Sequence, residues 1–325
     1  MGQPVIGSAG ELLVEFVAAE RNGHHRAPTR YAGPYPSGAP GIFIDQAGKL
    51  GARALFAGAV GGDAFGEVIL GRLRRDGVST DLVATVPNLP TGSAFVSYND
   101  DGSRDFVFNI AHSAAARIGE PEDLAAALLG AGIQIFHISG SSLGDPAMGA
   151  RLLTLARRLG EGGVKLSLDP NIRKELLGDP AYRRTVDVLT ELSSFFLPSE
   201  EDAAVLFPGE TFEAWAPRLI GAGAEIVVLK RGERGACGLT RQGEDIDLPA
   251  FAVPVADPTG AGDCFCATLV TLHAMGVPFP EALRRANAAG ALAVGKIGPM
   301  EGNSTPDEID TFLASRAAQP VEATQ

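Results

Sequence analysis

Short apolar runs alternate with longer helical patterns along most of the 325 residues. The clearest apolar runs cover residues 134–138, 165–169, 195–198 and 225–230, and each leads into a polar or glycine-rich turn. Helical patterns cover residues 146–159 and 279–294, where apolar residues recur every three or four positions. Strands that alternate with helices in this way are typical of βα units. The sequence therefore predicts an α/β fold around a mainly parallel sheet.

One segment interrupts this alternation. Residues 93–99 and 104–108 are β-prone and flank the turn sequence Asp100-Asp101-Gly102-Ser103, so they predict a hairpin. Together with the Gly/Pro-rich residues 26–40, we expect this hairpin to form a small sheet that acts as a lid. We therefore predict a single domain over residues 1–316, with a β-lid contributed by about 12–40 and 90–112, and a polar tail at 317–325.

The composition excludes several classes of protein. The chain has 27 Lys and Arg against 39 Asp and Glu, a formal net charge of −12, which argues against binding to nucleic-acid phosphates. Three cysteines and no basic-then-apolar leader pattern favour a cytoplasmic protein. The longest uncharged stretch is interrupted by Gly, Ser and His, so we predict no membrane span.

The most specific local motif is Asp257-Pro258-Thr259-Gly260-Ala261-Gly262-Asp263, which lies between a strand-like run at 251–255 and an apolar helix at 264–275. Gly260 and Gly262 allow a ligand to approach the backbone, and we expect Gly262 to need angles that a branched residue cannot adopt. The start of the helix offers unpaired N–H groups for an anion. Asp263 is then placed to accept a proton from a hydroxyl that attacks a phosphate. The alternative is that Asp263 merely caps the helix.

Two familiar nucleotide motifs are missing from the sequence, since neither GxxxxGK[ST] nor a strand followed by GxGxxG occurs. The run 140–144 does match GxSxG, so a serine hydrolase using Ser142 is an alternative of a different class. Its weakness is that His273, the only histidine downstream, falls inside the apolar helix. A Ser/Gly turn at the carboxyl end of a strand can instead line a substrate pocket.

With these motifs in place, the chain resembles the ribokinase-like or pfkB carbohydrate kinases. Residues 257–263 resemble the family's D-T-x-G-A-G-D signature, and residues 37–51 and 58–66 resemble its N-terminal signature. The resemblance implies a doubly wound, ribokinase-like fold with a small β-sheet lid. It also implies transfer of the γ-phosphoryl group of ATP to a sugar hydroxyl, with Asp263 as the base and Gly260, Ala261 and Gly262 as the anion hole.

Further positions follow from the same resemblance. It implies nucleotide contacts at Lys230, Gly232, Gly235 and Asn287, and a monovalent cation such as potassium at Asp257 and Thr259. Asp202 is implied to support magnesium indirectly. It ends the element at residues 199–202, which begins with serine where the family has asparagine. Sugar contacts are implied at Glu15, Gly38, Asn109, Asn171 and Arg173. Where relatives carry a sugar-binding asparagine this chain has Ile42, which cannot hydrogen-bond a hydroxyl through its side chain.

The expected substrate class depends on Arg173 and Asn109. The sequence Asp169-Pro170-Asn171-Ile172-Arg173 resembles that of fructokinase-like and 2-keto-3-deoxygluconate kinase-like members, and Arg173 could pair with a keto acid. Asn109 stands where keto-acid kinases usually have arginine, which favours a neutral ketose such as fructose or tagatose. A 2-keto-3-deoxygluconate kinase and then a nucleoside kinase are the alternatives, and a non-catalytic sensor is disfavoured by Asp263. We further expect a homodimer formed through the lid.

Overall fold

The computed structural model describes residues 2–173 and 176–317. A nine-stranded sheet has the order β13-β12-β11-β10-β9-β8-β1-β4-β5. Its strands are β1 (Val5–Ala9), β4 (Arg53–Gly61), β5 (Val78–Val86), β8 (Ile135–Ser139), β9 (Lys165–Asp169), β10 (Phe195–Phe196), β11 (Ile226–Lys230), β12 (Ala236–Thr240) and β13 (Asp245–Leu248). All neighbouring pairs are parallel except β11 with β12 and β12 with β13. The predicted mainly parallel sheet is confirmed.

A second, four-stranded sheet has the order β3-β2-β6-β7. It consists of β2 (Leu13–Ala18), β3 (Tyr31–Ser37), β6 (Gly92–Tyr98) and β7 (Arg104–Asn109). The antiparallel pair β6 and β7 is the hairpin predicted around residues 100–103. We call this four-stranded unit the small sheet.

Helices cover both faces of the large sheet, because each helix has one apolar face to bury. One buried cluster joins helices on the first face: α3 (Pro121–Gly130), α4 (Pro146–Glu161), α5 (Pro180–Leu192), α6 (Glu200–Leu206) and α7 (Phe212–Ala222). A second cluster joins those on the opposite face: α1 (Ala39–Lys49), α2 (Ala64–Arg75), α8 (Ala261–Ala274) and α9 (Phe279–Ala293). The last helix, α10 (Pro306–Ala317), packs on α9. None of the helices within these described ranges is long and apolar enough to span a bilayer.

Two elements differ from the sequence-based expectations. Residues 251–255 form no strand, although the run is apolar. Pro254 has no amide to donate to a ladder, and Val255 is 61% exposed, so the segment gains little from pairing. The following helix begins at Ala261 rather than at 264, so Asp263 belongs to its first turn. Nearly all of the predicted polar tail lies outside the described residues.

The strand order reverses between β1 and β8. From β1 the chain builds outward to β4 and β5, and from β8 it builds outward on the other side to β9 and beyond. Ligands of open α/β sheets bind outside the carboxyl ends of the strands at such a point. The site is therefore expected where β1, β8, β9 and β11 end.

Candidate active site

The turn before α8 requires glycine at one position. Gly260 is the N-cap of α8 and has a left-handed φ of 85°. A Cβ built there would collide with the carbonyl oxygen of Pro299 and lie 3.3 Å from Ile42 Cγ2. Ile42 is 2% exposed and packs with Cys264 and Met300 beneath the turn. At this position the isoleucine supports the turn from below by apolar packing.

The expectation for Gly262 was wrong in one respect. Gly262 is the second residue of α8 and its φ is not positive, so its backbone angles are open to other residues. Its lack of a side chain serves a different purpose. A Cβ at Gly262 would lie 3.4 Å from Lys230 Nζ and 3.9 Å from Asp169 Oδ2. Glycine therefore leaves room for these two charged side chains against the helix start.

Asp263 is the third residue of α8 and is 8% exposed. Its side chain does not cap the helix, because α8 has no side-chain cap hydrogen bond. Burial raises the pKa of its carboxyl well above the usual range, and the nearby charges of Asp169 and Glu11 raise it further. Lys230 and Arg173 act in the opposite direction. A buried carboxyl with a raised pKa is the kind of group that works as a general base or acid near neutral pH.

Lys230 ends β11 and forms a buried ion pair with Asp169, which ends β9. The two side chains are 13% and 5% exposed. Cys266 Sγ, on the second turn of α8, lies 3.5 Å from Lys230 Nζ and 3.6 Å from Asp169 Oδ2. Lys230 was predicted to contact the nucleotide, but its side chain is directed at Asp169, with β10 lying between their two strands.

Asp202 is held by protein donors. Its Oδ2 accepts hydrogen bonds from the amide and hydroxyl of Ser199, at 2.9 and 2.7 Å, in a capping box that starts α6. Its Oδ1 accepts one from the amide of Ile172 at 2.7 Å. Asp202 thereby fixes the turn that carries Asn171, whose φ is 38°, and Arg173.

At the end of β1, Glu11 is 7% exposed and accepts hydrogen bonds from two serines that follow β8. Ser141 Oγ donates to it at 2.7 Å, and Ser142 Oγ donates to its second oxygen. In the described part of the chain Ser142 is thus bonded to a carboxylate, and His273 lies within α8 against Phe195. This arrangement lacks the serine–histidine pair that a hydrolase would need.

Glu15 lies on β2 of the small sheet and is 3% exposed. Its Oε2 is 3.4 Å from the hydroxyl of Ser37, while its buried Oε1 has no hydrogen-bond partner. Burial and then the charge of Asp257 raise its pKa to about 7. Gly38, with a φ of 105°, follows at the start of α1, and a Cβ there would collide with the carbonyl of Glu11. Gly38 therefore borders the end of β1, and the neighbouring Ser37 lies beside Glu15, whose second carboxyl oxygen has no protein donor.

The small sheet contacts the turn before α8. Tyr98 donates a hydrogen bond to Asp257 Oδ1, which also accepts from the amide of Thr259 at 2.8 Å. Asp257 Oδ2 accepts from the amide of Gly298 at 3.0 Å. Arg104 donates to the hydroxyl of Thr259 at 3.2 Å. The oxygens of Asp257 and Thr259, predicted for a monovalent cation, already have donors, and a guanidinium stands beside them.

Three of the four residues predicted for the nucleotide lie near the loop that follows β13. Gly232 and Gly235 have φ values of 56° and 91°, and a Cβ at Gly235 would collide with the carbonyl of Leu248. Asn287 on α9 lies 3.4 Å, Nδ2 to O, from the carbonyl of Pro249. These three residues lie around one loop, consistent with a shared ligand.

The structure thus brings Asp263, Lys230 and Arg173 together, with Glu11 and Asp169 as additional members that were not among the predicted site residues. Asn109 lies apart on the exposed edge strand β7, with Nδ2 3.4 Å from Ser93 Oγ. Among the described residues there is no cluster of three or more His, Cys, Asp or Glu side chains arranged to hold a metal ion.

A doubly wound sheet with a small covering sheet, a glycine turn and an acid in the first turn of the next helix defines a kinase of the ribokinase fold. Residues 9–306 match the model of the pfkB family of carbohydrate kinases, and the chain belongs to that family. It is a phosphotransferase that acts on an alcohol group.

Three relatives illustrate the range of the family. The chain is 30% identical to fructokinase-2 of Zea mays over 328 residues, covering 95% of this chain and 94% of that protein. It is 28% identical to 2-dehydro-3-deoxygluconokinase of Bacillus subtilis over 313 residues, covering 94% of each. A protein from E. coli provisionally designated ribokinase II, solved with ATP and Mg²⁺, has a TM-score of 0.90 at 38% identity, covering 96% of this chain and 99% of that one.

Proposed function

We propose that this kinase transfers the γ-phosphoryl group of ATP to a primary hydroxyl of a neutral ketose, fructose- or tagatose-like. The observation that carries the proposal is Asp263, a buried acid in the first turn of α8 that does not cap its helix. Asp263 accepts the proton of the attacking hydroxyl. The amides of Gly260, Ala261 and Gly262 stabilise the charge that spreads over the transferred group.

Acidic groups near the end of β1 support a neutral substrate. Glu11 accepts hydrogen bonds from two serine hydroxyls, and Glu15 keeps a buried oxygen free of protein donors. A sugar hydroxyl can donate to such an oxygen, whereas a substrate carboxylate would be repelled by it. Gly38, Asn171 and Arg173 complete the sugar contacts in this proposal, and Asn109 has at most a peripheral role because it lies on the exposed edge strand.

ATP is proposed to lie along Gly232, Gly235 and Asn287, with its phosphates toward the turn at Gly260. Magnesium enters with those phosphates and water, since it prefers oxygen ligands and keeps several waters. Asp202 supports it indirectly by fixing α6 and the turn at 170–173. Closure of the small sheet excludes water that would otherwise accept the phosphoryl group.

A coupled assay with ATP and magnesium tests the substrate. The panel contains fructose, tagatose, ribose, 2-keto-3-deoxygluconate and adenosine, followed by identification of the phosphorylated carbon. We expect the highest kcat/KM with a ketose. Preference for adenosine would favour a nucleoside kinase, and preference for the keto acid would favour the alternative suggested by the bacterial relative.

We also propose a homodimer through the small sheet, because its edge strand β7 exposes Val107 and Phe108, at 44% and 48%. Exposed apolar side chains on an edge strand are a common site for pairing with another copy. Sedimentation equilibrium of the chain and of Phe108→Ser tests this. A monomer at assay concentrations would contradict it.

A further inference from the structure

Lys230 and Asp169 are a buried charge pair for which the proposed reaction gives no direct role. They end two different strands and meet against Gly262, where a single Cβ would lie within 3.4 Å of the ammonium. Asp263 is the next residue along α8. The pair therefore lies under the residue that neighbours the proposed base.

We propose that Lys230 and Asp169 are positioning residues that act through Asp263. They hold the start of α8, and their opposite charges offset each other near the carboxyl of Asp263. This inference rests on the proposed kinase reaction with Asp263 as base. It departs from a direct contact between Lys230 and the nucleotide, because the ammonium is directed at Asp169 and lies beside Cys266.

Charged groups reach Asp263 from several elements. Those that face it are Asp169 from β9, Lys230 from β11, Glu11 from the end of β1 and Arg173 from the turn after β9, with Cys264 and Cys266 on its own helix. Asp169 and Glu11 are negative when ionised and Lys230 and Arg173 are positive, whereas burial raises the pKa of both thiols and favours their neutral form. The positive charge of Lys230 neutralises the negative charge of Asp169. Without Lys230, Asp263 would lie near a buried carboxylate that has no positively charged partner.

Two single variants that remove charges of opposite sign test this inference. Lys230→Met removes the positive charge, which disfavours ionisation of Asp263, so the acidic limb of the kcat/KM profile should move to higher pH. Asp169→Asn removes the negative charge and should move the same limb to lower pH. We expect each displacement to be about one pH unit, as for loss of a neighbouring charge in a buried site. A merely structural role would weaken activity in both variants without opposite displacements.

The double variant Lys230→Met/Asp169→Asn should return the limb close to its position in the unaltered enzyme, because both charges are gone. Lys230→Arg should restore the limb by keeping the charge. Cys266→Ala is the matched control: it opens space beside both side chains without changing charge, so it should leave the limb in place. If Lys230→Met does not fold, Asp169→Asn and the double variant still decide the question.

Carbon-13 NMR of the aspartate carboxyls in the nucleotide-free full chain gives a readout independent of turnover. The Asp263 resonance is assigned by its loss in Asp263→Asn, and its titration should move in the same opposite directions. Coincident profiles in all variants would overturn the inference. So would a raised KM for ATP in Lys230→Met with an unmoved limb, since that would make Lys230 a phosphate contact. Lack of phosphoryl transfer by the unaltered chain to every sugar would instead count against the proposed function, and the NMR titration would still test the charge pair.

Discussion

The hydroxyl of Tyr98, on the small sheet, donates a hydrogen bond to Asp257, on the turn before α8. The two residues are 159 positions apart in the chain. This bond joins the small sheet to the segment that carries Gly260 and Asp263. The position of the small sheet and the geometry of the turn are therefore coupled.

Tyr98→Phe tests that coupling. The variant keeps the ring and removes one donor to a buried carboxylate, so we expect kcat/KM to fall about fivefold to tenfold. The matched control is Tyr31→Phe on the same sheet, whose hydroxyl bonds His25 at 2.9 Å, away from the turn. Equal kinetics for both variants would show that the Tyr98 bond does not contribute to turnover.

Asp263→Asn tests the base. The amide keeps the shape of the side chain but cannot accept the proton, so turnover should fall by ~10²–10⁴. Binding of ATP, measured by titration calorimetry, should change little, because the amides of the turn remain. Asp245→Asn, an exposed position on β13, is the control. Near-normal turnover of Asp263→Asn would remove this residue from its proposed role.

Gly260→Ala tests the close approach of the turn to Pro299. Two costs are expected: the left-handed φ of 85°, and the collision of the new Cβ with the Pro299 carbonyl. Gly243→Ala separates them, because Gly243 has a φ of 87° and open space around it. We expect Gly243→Ala to cost about 1 kcal/mol in the free energy of unfolding and Gly260→Ala clearly more. Equal values in urea titrations would show that the turn relaxes freely.

The features predicted from the sequence are those encoded in short stretches of the chain. The turn at 257–263 and the hairpin around 100–103 are recognised from glycines and acids at fixed spacing, and both lie where expected. The contacts of Tyr98 and Arg104 with that turn have no local signal, because they depend on how the small sheet folds over the large one. The pair of Lys230 and Asp169 depends likewise on strand order, which periodicity does not give.

Potassium should not be required. Each oxygen of Asp257 accepts a protein hydrogen bond, and Arg104 supplies a positive charge beside Thr259. We expect equal activity in potassium chloride and in tetramethylammonium chloride at the same ionic strength. Arg104→Gln removes the charge, and potassium should then stimulate the enzyme. Strong activation of the unaltered enzyme by potassium would show that a cation displaces these donors.

Arg173→Ala tests the class of substrate. With a neutral ketose, Arg173 donates to hydroxyls, and its loss should cost about 1–3 kcal/mol in transition-state binding. With a keto acid it would pair with the carboxylate, and loss of one partner of a desolvated pair costs more, about 2–5 kcal/mol, concentrated on the acid. Because Glu11 and Glu15 place two buried carboxyls near the proposed sugar position, we expect the unaltered enzyme to prefer fructose or tagatose over 2-keto-3-deoxygluconate. We also expect Arg173→Ala to lower kcat/KM for both kinds of substrate without selectively abolishing use of the acid. A kcat/KM about tenfold higher for the keto acid, a difference of about 1.4 kcal/mol, would reverse the substrate assignment and leave the kinase reaction intact.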